Sequence, residues 1–403
     1  DCMKALKEDA RLALEGLPWE YGDAAEMQRL SAKYAGADQG KVTRVFGANF
    51  IGRMSGKVVE AFVAKADLLA ASPAYSDQSG VDWKTAAASA AKVLNHIGGV
   101  DGMDPTGWTW YCNVDDIEKL SPTESPAEIL WRGERAKSLS LEEDNFPPTL
   151  YGNGRINPTQ NLVDAFPMLN GYPVSHLSGE YDENLPYANR DPRLEAYILY
   201  NGCKAGNTNK EIFTAADGTT NDALNKVVGR STRTGYYLRK LLRQDISLDP
   251  NAKADQYHYT PRIRYTEIFL AYAEAANQAY GPQDKGGNGY SAYDVVKKLR
   301  HRAGIGRDNG DAYLESIKND QAKMAELIRN ERRIELCFEG FRFWDLRRWK
   351  SNLTETAKGM NISGTRYTPM EVDKRSFSEY MYYGPIPYSE VLKYDELKQN
   401  QGW

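Results

Sequence analysis

The strongest constraint on the fold comes from two pairs of alanine-rich segments with helical periodicity. The two pairs lie far apart in the chain. In residues 52–72, Val59, Phe62 and Leu69 recur at the three- and four-residue spacing of one helix face. Residues 82–99 follow after a loop; they begin at a residue type that caps helices and end at a glycine pair. Small alanines on facing sides allow two such helices to approach closely. The sequence therefore predicts a helical hairpin in this part of the chain.

A second pair repeats this pattern later in the chain. It comprises residues 262–281, a glycine-rich loop at 286–289 and a further helical segment. Residues 1–18 look like the second helix of another pair. Units of this kind resemble tetratricopeptide repeats, in which stacked helical hairpins bury a shared core. We therefore expect a mostly α-helical scaffold formed by residues 1–98 and 262–350.

The stretch between these two scaffold parts, residues 99–261, has a different character. It is rich in glycine, proline, asparagine and tyrosine, and it contains short strand-like pieces such as EILWRG and EAYILYNG. A loop-rich region of this length inside a helical frame is expected to be functional or disordered, and its aromatic residues favour order. We expect a ligand-binding insertion here, and a second irregular segment at residues 351–403, within one folded unit of residues 1–403.

A dense run of arginines, acids and aromatics occupies residues 329–350, RNERRIELCFEGFRFWDLRRWK. We predict one helix from Asp320 to about Trp344, with an apolar side chain on its buried face every three or four residues. This buried stripe would comprise Ile334, Cys337 or Phe338, Phe341 and Trp344. The charges would pair on the outer face, Arg332 with Glu335 and Glu339 with Arg342. Because these charges nearly cancel, we interpret the run as scaffold rather than as an active site or a nucleic-acid surface.

The charge balance excludes several classes of partner. The 403 residues include 51 lysines and arginines against 55 acids, a net charge of -4, so no broad positive field would attract nucleic acid or an anionic membrane. No run of about 18 apolar residues is present to cross a bilayer. The four cysteines lie far apart and lack the spacing of a zinc site or a disulfide framework.

No motif supports catalysis or a cofactor. The four histidines form no HxxxH or HExxH pair, and no GxSxG elbow is present, although spacing does not test a Ser–His–Asp triad. The acidic run at residues 142–144 could supply paired carboxylates for glycoside hydrolysis, but we expect a solvated acidic loop. Clustered oxygens at residues 101–107 lack the EF-hand spacing, and a structural calcium ion stays an open alternative there. We predict no catalytic residue, no metal site and no cofactor.

The best candidate for a ligand site is the segment FPPTLYGNGRINPTQ. A sugar needs flat aromatic faces for its C–H surface, and amides or guanidinium groups for its hydroxyls. Tyr151, Asn153 and Arg155 supply both among turn-forming residues in a predicted exposed loop. The alternative is that Asn153 and Gly154 only form a turn while Tyr151 packs inward. The 26 tyrosines of the chain suit either a ligand-stacking surface or a large irregular fold.

A second candidate ligand surface is the aromatic group in DPTGWTWYCN, namely Trp108, Trp110 and Tyr111. In an extended strand, Trp108 and Trp110 would share a face and could form a stacking platform. The same rings could instead form a hydrophobic clasp beneath the loop region. Both interpretations stay open from the sequence.

Several segments resemble the SusD/RagB family, in the family's order. The run NERRIELCFEGFRFWDLRRW is similar to the signature near the family's C-terminus, and further segments extend the resemblance over about residues 1–403. These are NPTQNLVDAF, RDPRLEAYILYNG, TGYYLRKLL, RYTEIFLAYAEAANQ, PIPYSEV and the terminal QNQGW. Family members are longer, and their lipoprotein signal, acylated cysteine and first repeat helices have no counterpart in this sequence. We do not expect Cys2 to be the lipid anchor, because it leads into a helical segment.

The resemblance implies a nutrient-binding lipoprotein on the extracellular face of the outer membrane in Bacteroidetes. Such a protein would capture oligosaccharides without catalysis and deliver them to a SusC-like TonB-dependent transporter, over which it acts as a lid. Membrane contact would be made only through a lipid anchor outside this chain. A loop just before the PTQNLVDAF segment often contributes an aromatic side chain to the ligand surface of the family. Tyr151 matches that position best.

Three alternative functions remain from the sequence. Some members of the resembling family bind peptides, which would favour a deep, charged pocket with few exposed aromatics. A glycoside hydrolase would need the paired carboxylates considered above. A repeat adaptor would bind only proteins, through the concave face of its helices.

Overall fold

The computed structural model describes residues 1–34, 38–121, 124–308 and 310–403. The helices before residue 99 are α1 (Cys2–Gly16), α2 (Ala24–Lys33), α3 (Gln39–Phe46), α4 (Gly56–Ala71), α5 (Ser76–Ser79) and α6 (Trp83–Asn95). The next are α7 (Val114–Lys119), α8 (Ser140–Asn145), α9 (Gln160–Val163) and α10 (Pro192–Tyr197). The last are α11 (Tyr265–Tyr280), α12 (Ala292–Arg302), α13 (Ala312–Ile317), α14 (Gln321–Glu335), α15 (Arg342–Arg348) and α16 (Tyr388–Val391). Within these described ranges, no helix is long and apolar enough to cross a membrane.

The two predicted helical hairpins are confirmed, and they pack against each other. Helix α4 packs against α6, α11 packs against both, and α12 and α14 pack against α11. Ala87 and Ala91 of α6 and Ala273 of α11 are buried, so the helix backbones can approach closely. Larger side chains such as Leu94 and Phe269 fill the remaining space. The mostly α-helical fold predicted from the sequence is therefore confirmed.

Short antiparallel strands organise the insertion. They are β1 (Ile129–Arg132), β2 (Ala136–Ser138), β3 (Ile198–Leu199), β4 (Lys204–Ala205), β5 (Lys210–Glu211), β6 (Tyr237–Leu238), β7 (Gln256–His258) and β8 (Pro261–Arg264), followed near the C-terminus by β9 (Ala357–Ser363) and β10 (Arg366–Asp373). The pairs are β1 with β8, β2 with β7, β3 with β6, β4 with β5, and β9 with β10. Strands β1 and β2 follow each other, as do β7 and β8, so these two pairs form one bent ribbon, called the ribbon below. The strand predicted in EILWRG is β1, whereas EAYILYNG forms the end of α10 and the two-residue strand β3.

The C-terminal segment is less irregular than predicted, because β9 and β10 form a regular hairpin within residues 351–403. Ser363 lies opposite Arg366, and Gly364 occupies the turn with a φ of 56°. The hairpin docks on the insertion, where the Met360 amide donates to the Thr234 carbonyl at 2.8 Å. The expectation of irregular structure is therefore wrong for these strands.

The run at residues 329–350 is not the single helix that we predicted. Helices α14 and α15 are separate, and between them Phe338 and Gly340 have φ values of 64° and 85°. This left-handed backbone ends the first helix, so Trp344 leaves the predicted buried stripe and is 62% exposed. The rest of the predicted stripe is buried or half-buried: Ile334, Cys337, Phe338 and Phe341.

The predicted ion pairs on the outer face of this run are also wrong. Arg332 pairs instead with Asp345 of α15, with 2.8 Å between Nε and Oδ2. Arg332 is buried, and so are Glu335 and the carboxylate of Glu339. The charged side chains of this run therefore form ion pairs between different segments inside the protein, instead of pairing along the exposed surface of one helix.

Glu335 is the centre of a buried ion-pair network. Its carboxylate lies 3.1 Å from Arg193 Nη1 of α10, 3.4 Å from Arg302 Nη2 of α12 and 3.9 Å from Arg264 Nη2 of β8. Burial opposes the ionisation of Glu335, but Arg302, Arg193 and Arg264 outweigh it and lower its pKa to about 2. The network thus ties the insertion and the ribbon to the scaffold.

Replacing Glu335 with Gln is expected to lower the free energy of unfolding by about 3–5 kcal/mol near neutral pH, because buried arginines lose their shared counter-charge. The folded-state pKa lies below the unfolded value of about 4.3, so this stabilisation is complete above that pH and is lost as the pH falls toward 2. Urea unfolding of wild type and variant, near neutral pH and near pH 3, measures both effects.

The control is Glu390→Gln, which removes an exposed ion pair with Lys393 and should change the free energy of unfolding by less than about 1 kcal/mol. Equal losses in the two variants would show that the network around Glu335 has no special weight.

Candidate functional site

The segment predicted to bind ligand forms an exposed turn after α8. The chain passes through a short 3-10 helix, Pro148–Leu150, and reaches Tyr151 with a φ of 66°. The side chain of Tyr151 points outward and is 54% exposed. The alternative that Tyr151 packs inward is therefore wrong. An exposed aromatic ring of this size is available to stack on a ligand. Residues 151–155 are called the Tyr151 turn below.

Backbone hydrogen bonds fix the Tyr151 turn to α8. The amide of Asn153 donates to the Glu143 carbonyl at 2.9 Å, and the amide of Arg155 donates to the Asp144 carbonyl at 3.0 Å. Between Asn153 and Arg155, position 154 requires a glycine. It has a φ of 56°, and a Cβ there would lie 2.3 Å from the Arg230 carbonyl oxygen. The turn is consequently held from two sides, with Tyr151 at its exposed end.

The Tyr151 turn combines an aromatic ring with polar groups. Arg155 is exposed, and its Nη1 lies 3.0 Å from Asp144 Oδ1. Asn153 is half-buried in the same turn. The sequence prediction therefore brings Tyr151, Asn153 and Arg155 together in space. A flat apolar face beside an amide, a guanidinium and a carboxylate matches the groups that a saccharide presents.

Trp108, Trp110 and Tyr111 form a clasp inside the protein rather than an exposed platform. The chain is in a 3-10 turn at Gly107–Thr109, so the extended conformation assumed for the platform is wrong. Trp110 and Tyr111 are 7% and 5% exposed, and Trp108 is half-buried. Tyr197 of α10 donates its hydroxyl hydrogen to the Trp108 carbonyl at 2.8 Å. The clasp joins this turn to the core of the insertion.

Trp110 and Tyr111 line a cavity beside the ribbon. This ribbon cavity has a volume of about 340 Å³. Its apolar wall includes Leu141, Leu241, Phe338 and Phe341, and its polar lining includes His258, Arg262 and Glu267. Sequence reasoning missed it, because its walls come from five distant segments that show no shared pattern. Its size suits a small apolar group.

Glu267 is a buried acid in the lining of the ribbon cavity, which also contains the buried carboxylate of Glu339. Glu267 Oε1 lies 2.8 Å from Lys65 Nζ, and burial raises the pKa of Glu267 in spite of that lysine. His258, on β7, contacts the buried Glu142 with 3.1 Å between Nε2 and Oε1. Glu267 and His258 therefore each have a polar partner, Lys65 and Glu142 respectively.

The acidic run at residues 142–144 is only partly the solvated loop that we expected. Glu142 is fully buried, whereas Glu143 pairs with Lys253 and Asp144 with Arg155 at the surface. The three carboxylates therefore act in separate contacts.

The loop at residues 101–107 uses its oxygens within the turn. Asp104 Oδ1 accepts hydrogen bonds from the amide and the hydroxyl of Thr106 at 2.8 and 2.9 Å. In the part of the chain that the structure describes, no group of three or more His, Cys, Asp or Glu side chains could hold a metal ion.

The fold and the Tyr151 turn define a class of helical-hairpin scaffold that carries a loop-rich insertion with an exposed aromatic turn. The sequence model of the SusD family matches residues 131–403, more than half of the chain. The chain therefore belongs to the SusD family. The matched range contains the Tyr151 turn and most of the ribbon.

Curated relatives match shorter parts of the chain. One SusD-like protein of Formosa agariphila is 33% identical over 85 residues, or 21% of this chain. A second SusD-like protein of the same species is 32% identical over 152 residues, or 37% of this chain. The matched parts cover only 16% and 26% of the relatives' own lengths.

Solved structures share the fold over nearly the whole chain. A SusD-like protein of Bacteroides fragilis aligns with a TM-score of 0.66 at 24% identity, covering 94% of this chain and 70% of that one. A SusD-like carbohydrate-binding protein of the same species aligns with a TM-score of 0.64 at 21% identity, covering 97% and 77%. The alignments extend the family fold to the helices before residue 131.

Replacing Gly154 with Ala is expected to destabilise the Tyr151 turn strongly. The new methyl group would meet the Arg230 carbonyl and the Tyr237 ring at 2.3 and 2.6 Å, in a backbone conformation that already disfavours alanine. We expect a loss of more than about 3 kcal/mol in the free energy of unfolding, measured by urea denaturation.

Gly202→Ala is the matched control for this prediction. Gly202 has a φ of 82°, but a Cβ there would meet no atom within 4 Å. Gly202→Ala should lower the free energy of unfolding by only about 1–2 kcal/mol, the cost of holding alanine in a left-handed backbone conformation. If both variants lost the same stability, the close approach at Gly154 would not matter to the turn.

Proposed function

We propose that this chain binds oligosaccharides at the Tyr151 turn, as the nutrient-binding component of an uptake system. The observation that carries the proposal is the exposed phenol ring of Tyr151 on a turn fixed by backbone hydrogen bonds. Membership of the SusD family supports it. A structural neighbour described as a carbohydrate-binding protein supports it as well.

Binding at this turn would use two kinds of contact. The ring of Tyr151 would lie against the C–H face of a sugar, whereas Asn153 and Arg155 would hydrogen-bond to its hydroxyls. Because the turn is already rigid, little conformational entropy would be lost on binding. No bond of the ligand would be made or broken, so the chain would act by capture and release.

The proposed capture step belongs at the extracellular face of the outer membrane. A lipid anchor would hold the protein there. The captured oligosaccharide would pass to a SusC-like TonB-dependent transporter, over which this protein would close as a lid. These proposals rest on the family to which the chain belongs.

Replacing Tyr151 with Ala is expected to weaken oligosaccharide binding by at least about tenfold in Kd, which is about 1.4 kcal/mol. The Tm should stay nearly unchanged, because an exposed ring contributes little to folding. Isothermal titration with a glycan panel measures binding, and thermal unfolding monitored by circular dichroism measures stability.

Two variants make this test specific. Tyr151→Phe keeps the ring face and should retain most of the affinity. Tyr388→Ala removes another exposed tyrosine, 71% exposed and far along the sequence, and should leave binding unchanged. If Tyr151→Ala bound the oligosaccharide as tightly as wild type, the turn would not be the site. If the variant lost fold stability together with binding, Tyr151 would be a structural residue rather than a ligand contact.

The class of cargo needs its own screen. The chain should be titrated with host, plant and microbial glycans and with a peptide pool, and released reducing sugar should be assayed in parallel. We expect a glycan to bind and no reducing sugar to appear. Binding of peptides alone would assign the chain to peptide capture, and sugar release would identify a hydrolase.

A further inference from the structure

A second cleft beside the ribbon is larger than the ribbon cavity and is lined by arginines. Its volume is about 810 Å³. Arg132 and Arg135 come from β1 and the bend that follows it, Arg262 comes from β8, and Arg53 comes from the loop before α4. These four residues define what we call the arginine cleft.

Aromatic rings hold three of these guanidinium groups in place. The guanidinium carbon of Arg53 lies 4.3 Å from the centre of the Phe50 ring. The guanidinium carbon of Arg135 lies 4.0 Å from the centre of the Tyr257 ring. The guanidinium carbon of Arg262 lies 4.5 Å from the centre of the Trp131 ring. Stacking of this kind fixes the plane of a guanidinium without neutralising its charge. The three groups are thereby preorganised.

Arg132 is held differently, by backbone carbonyls. It is buried, and it donates to the carbonyl oxygens of Ser121 at 2.9 Å, Glu124 at 3.1 Å and Gly133 at 3.0 Å. Burial is the main cause that lowers the pKa of Arg132; nearby Arg135 lowers it as well, whereas Tyr259 and Glu134 act in the opposite direction without outweighing the burial. Carbonyls satisfy the hydrogen bonds of Arg132, and among the residues that the structure describes no carboxylate lies within ion-pair distance of its guanidinium.

The arginine cleft carries an excess of positive charge. Over the described ranges, none of its four arginines forms an ion pair with a carboxylate, and Glu134 is the sole acid among the described residues that line it. Elsewhere in the ribbon the chain behaves differently, since Arg264 of β8 pairs with Glu128 at 2.7 Å and Glu339 at 2.8 Å. The arginines of the cleft therefore lack the carboxylate partners that Arg264 has.

We infer that the arginine cleft binds the anionic groups of an acidic oligosaccharide, namely uronate carboxylates or sulfate esters. The inference rests on the proposed function, whose ligand class it narrows. A planar guanidinium offers parallel N–H groups that match the oxygens of a carboxylate or a sulfate. A cleft of about 810 Å³ lies within the range of ligand sites of about 300–1,000 Å³.

The net charge of -4 bears on how such a ligand would be recognised. The chain as a whole does not attract anions, so attraction must come from the local field of the cleft. Binding should therefore weaken as salt is added, and the weakening should depend on the arginines of the cleft.

The test uses Arg53→Gln/Arg262→Gln in the full chain. Both side chains are exposed, so the fold should survive their replacement; Arg132 and Arg135 are left intact because they bind backbone carbonyls. The control is Arg366→Gln/Arg375→Gln, which removes two exposed arginines from another part of the surface. Thermal unfolding verifies that both double variants are folded.

Four probes of similar length are titrated by calorimetry: an oligogalacturonate, a sulfated oligosaccharide, a neutral oligosaccharide and a poly-glutamate peptide. We expect at least one acidic saccharide to bind wild type and the control. The cleft variant should bind it at least about tenfold more weakly and with a smaller dependence on salt. Comparing the first two probes distinguishes carboxylate from sulfate recognition.

Other results would overturn the inference in distinguishable ways. If an acidic saccharide binds the cleft variant as well as wild type, or if only the neutral saccharide binds and Tyr151→Ala removes that binding, the proposed function stands and the cleft assignment fails. If poly-glutamate binds as tightly as the acidic saccharides and loses affinity in the cleft variant, the cleft recognises peptides. If no saccharide binds wild type at all, the proposed function fails and the cleft assignment fails with it.

Discussion

The buried carboxylate of Glu335 is the interaction on which the rest of the structure depends. One acid near the end of α14 lies within ion-pair distance of arginines from α10, β8 and α12. Burying a charge is unfavourable unless partners surround it, so these segments cannot separate without leaving an uncompensated charge in the protein. Because α10 lies in the insertion, β8 in the ribbon and α14 in the helical scaffold, the network defines how the insertion sits on its scaffold.

This arrangement determines where binding surfaces can form. Strand β8 is tied to the core through Arg264, and its neighbour Arg262 stays at the surface. Strand β8 thus carries one exposed arginine and one buried, ion-paired arginine two residues apart, in a strand pair whose register is irregular. The ribbon cavity and the arginine cleft both use Arg262 in their walls. A rigid scaffold with side chains presented from irregular segments is a common way for proteins to build binding sites.

The sequence predicted the helical scaffold and the exposed turn because both depend on local patterns. Periodic alanines specify hairpins whichever residues surround them, and glycines around Tyr151 specify a turn in almost any context. The break between α14 and α15 was missed because Phe338 adopts a left-handed conformation that its residue type does not favour. The ion pairs were assigned within one helix because spacing reveals only near neighbours, whereas Arg193 lies 142 residues from Glu335. The cavity and the cleft likewise need contacts between distant segments.

Arginine has two roles in this chain, and only the partners distinguish them. The run at residues 329–350 and the arginine cleft are both rich in guanidinium groups and aromatics, so composition alone would treat them alike. In the run, Arg332 and Arg348 share the carboxylate of Asp345 at 2.8 and 2.9 Å, and Arg348 also pairs with Glu274 at 2.6 Å. These two guanidinium groups are therefore balanced by two carboxylates inside the fold. In the cleft, Arg53 and Arg262 rest on aromatic rings, which orient a guanidinium but cannot neutralise it. A neutralised arginine stabilises the protein itself, whereas an oriented arginine without a counter-charge remains able to stabilise an anionic ligand.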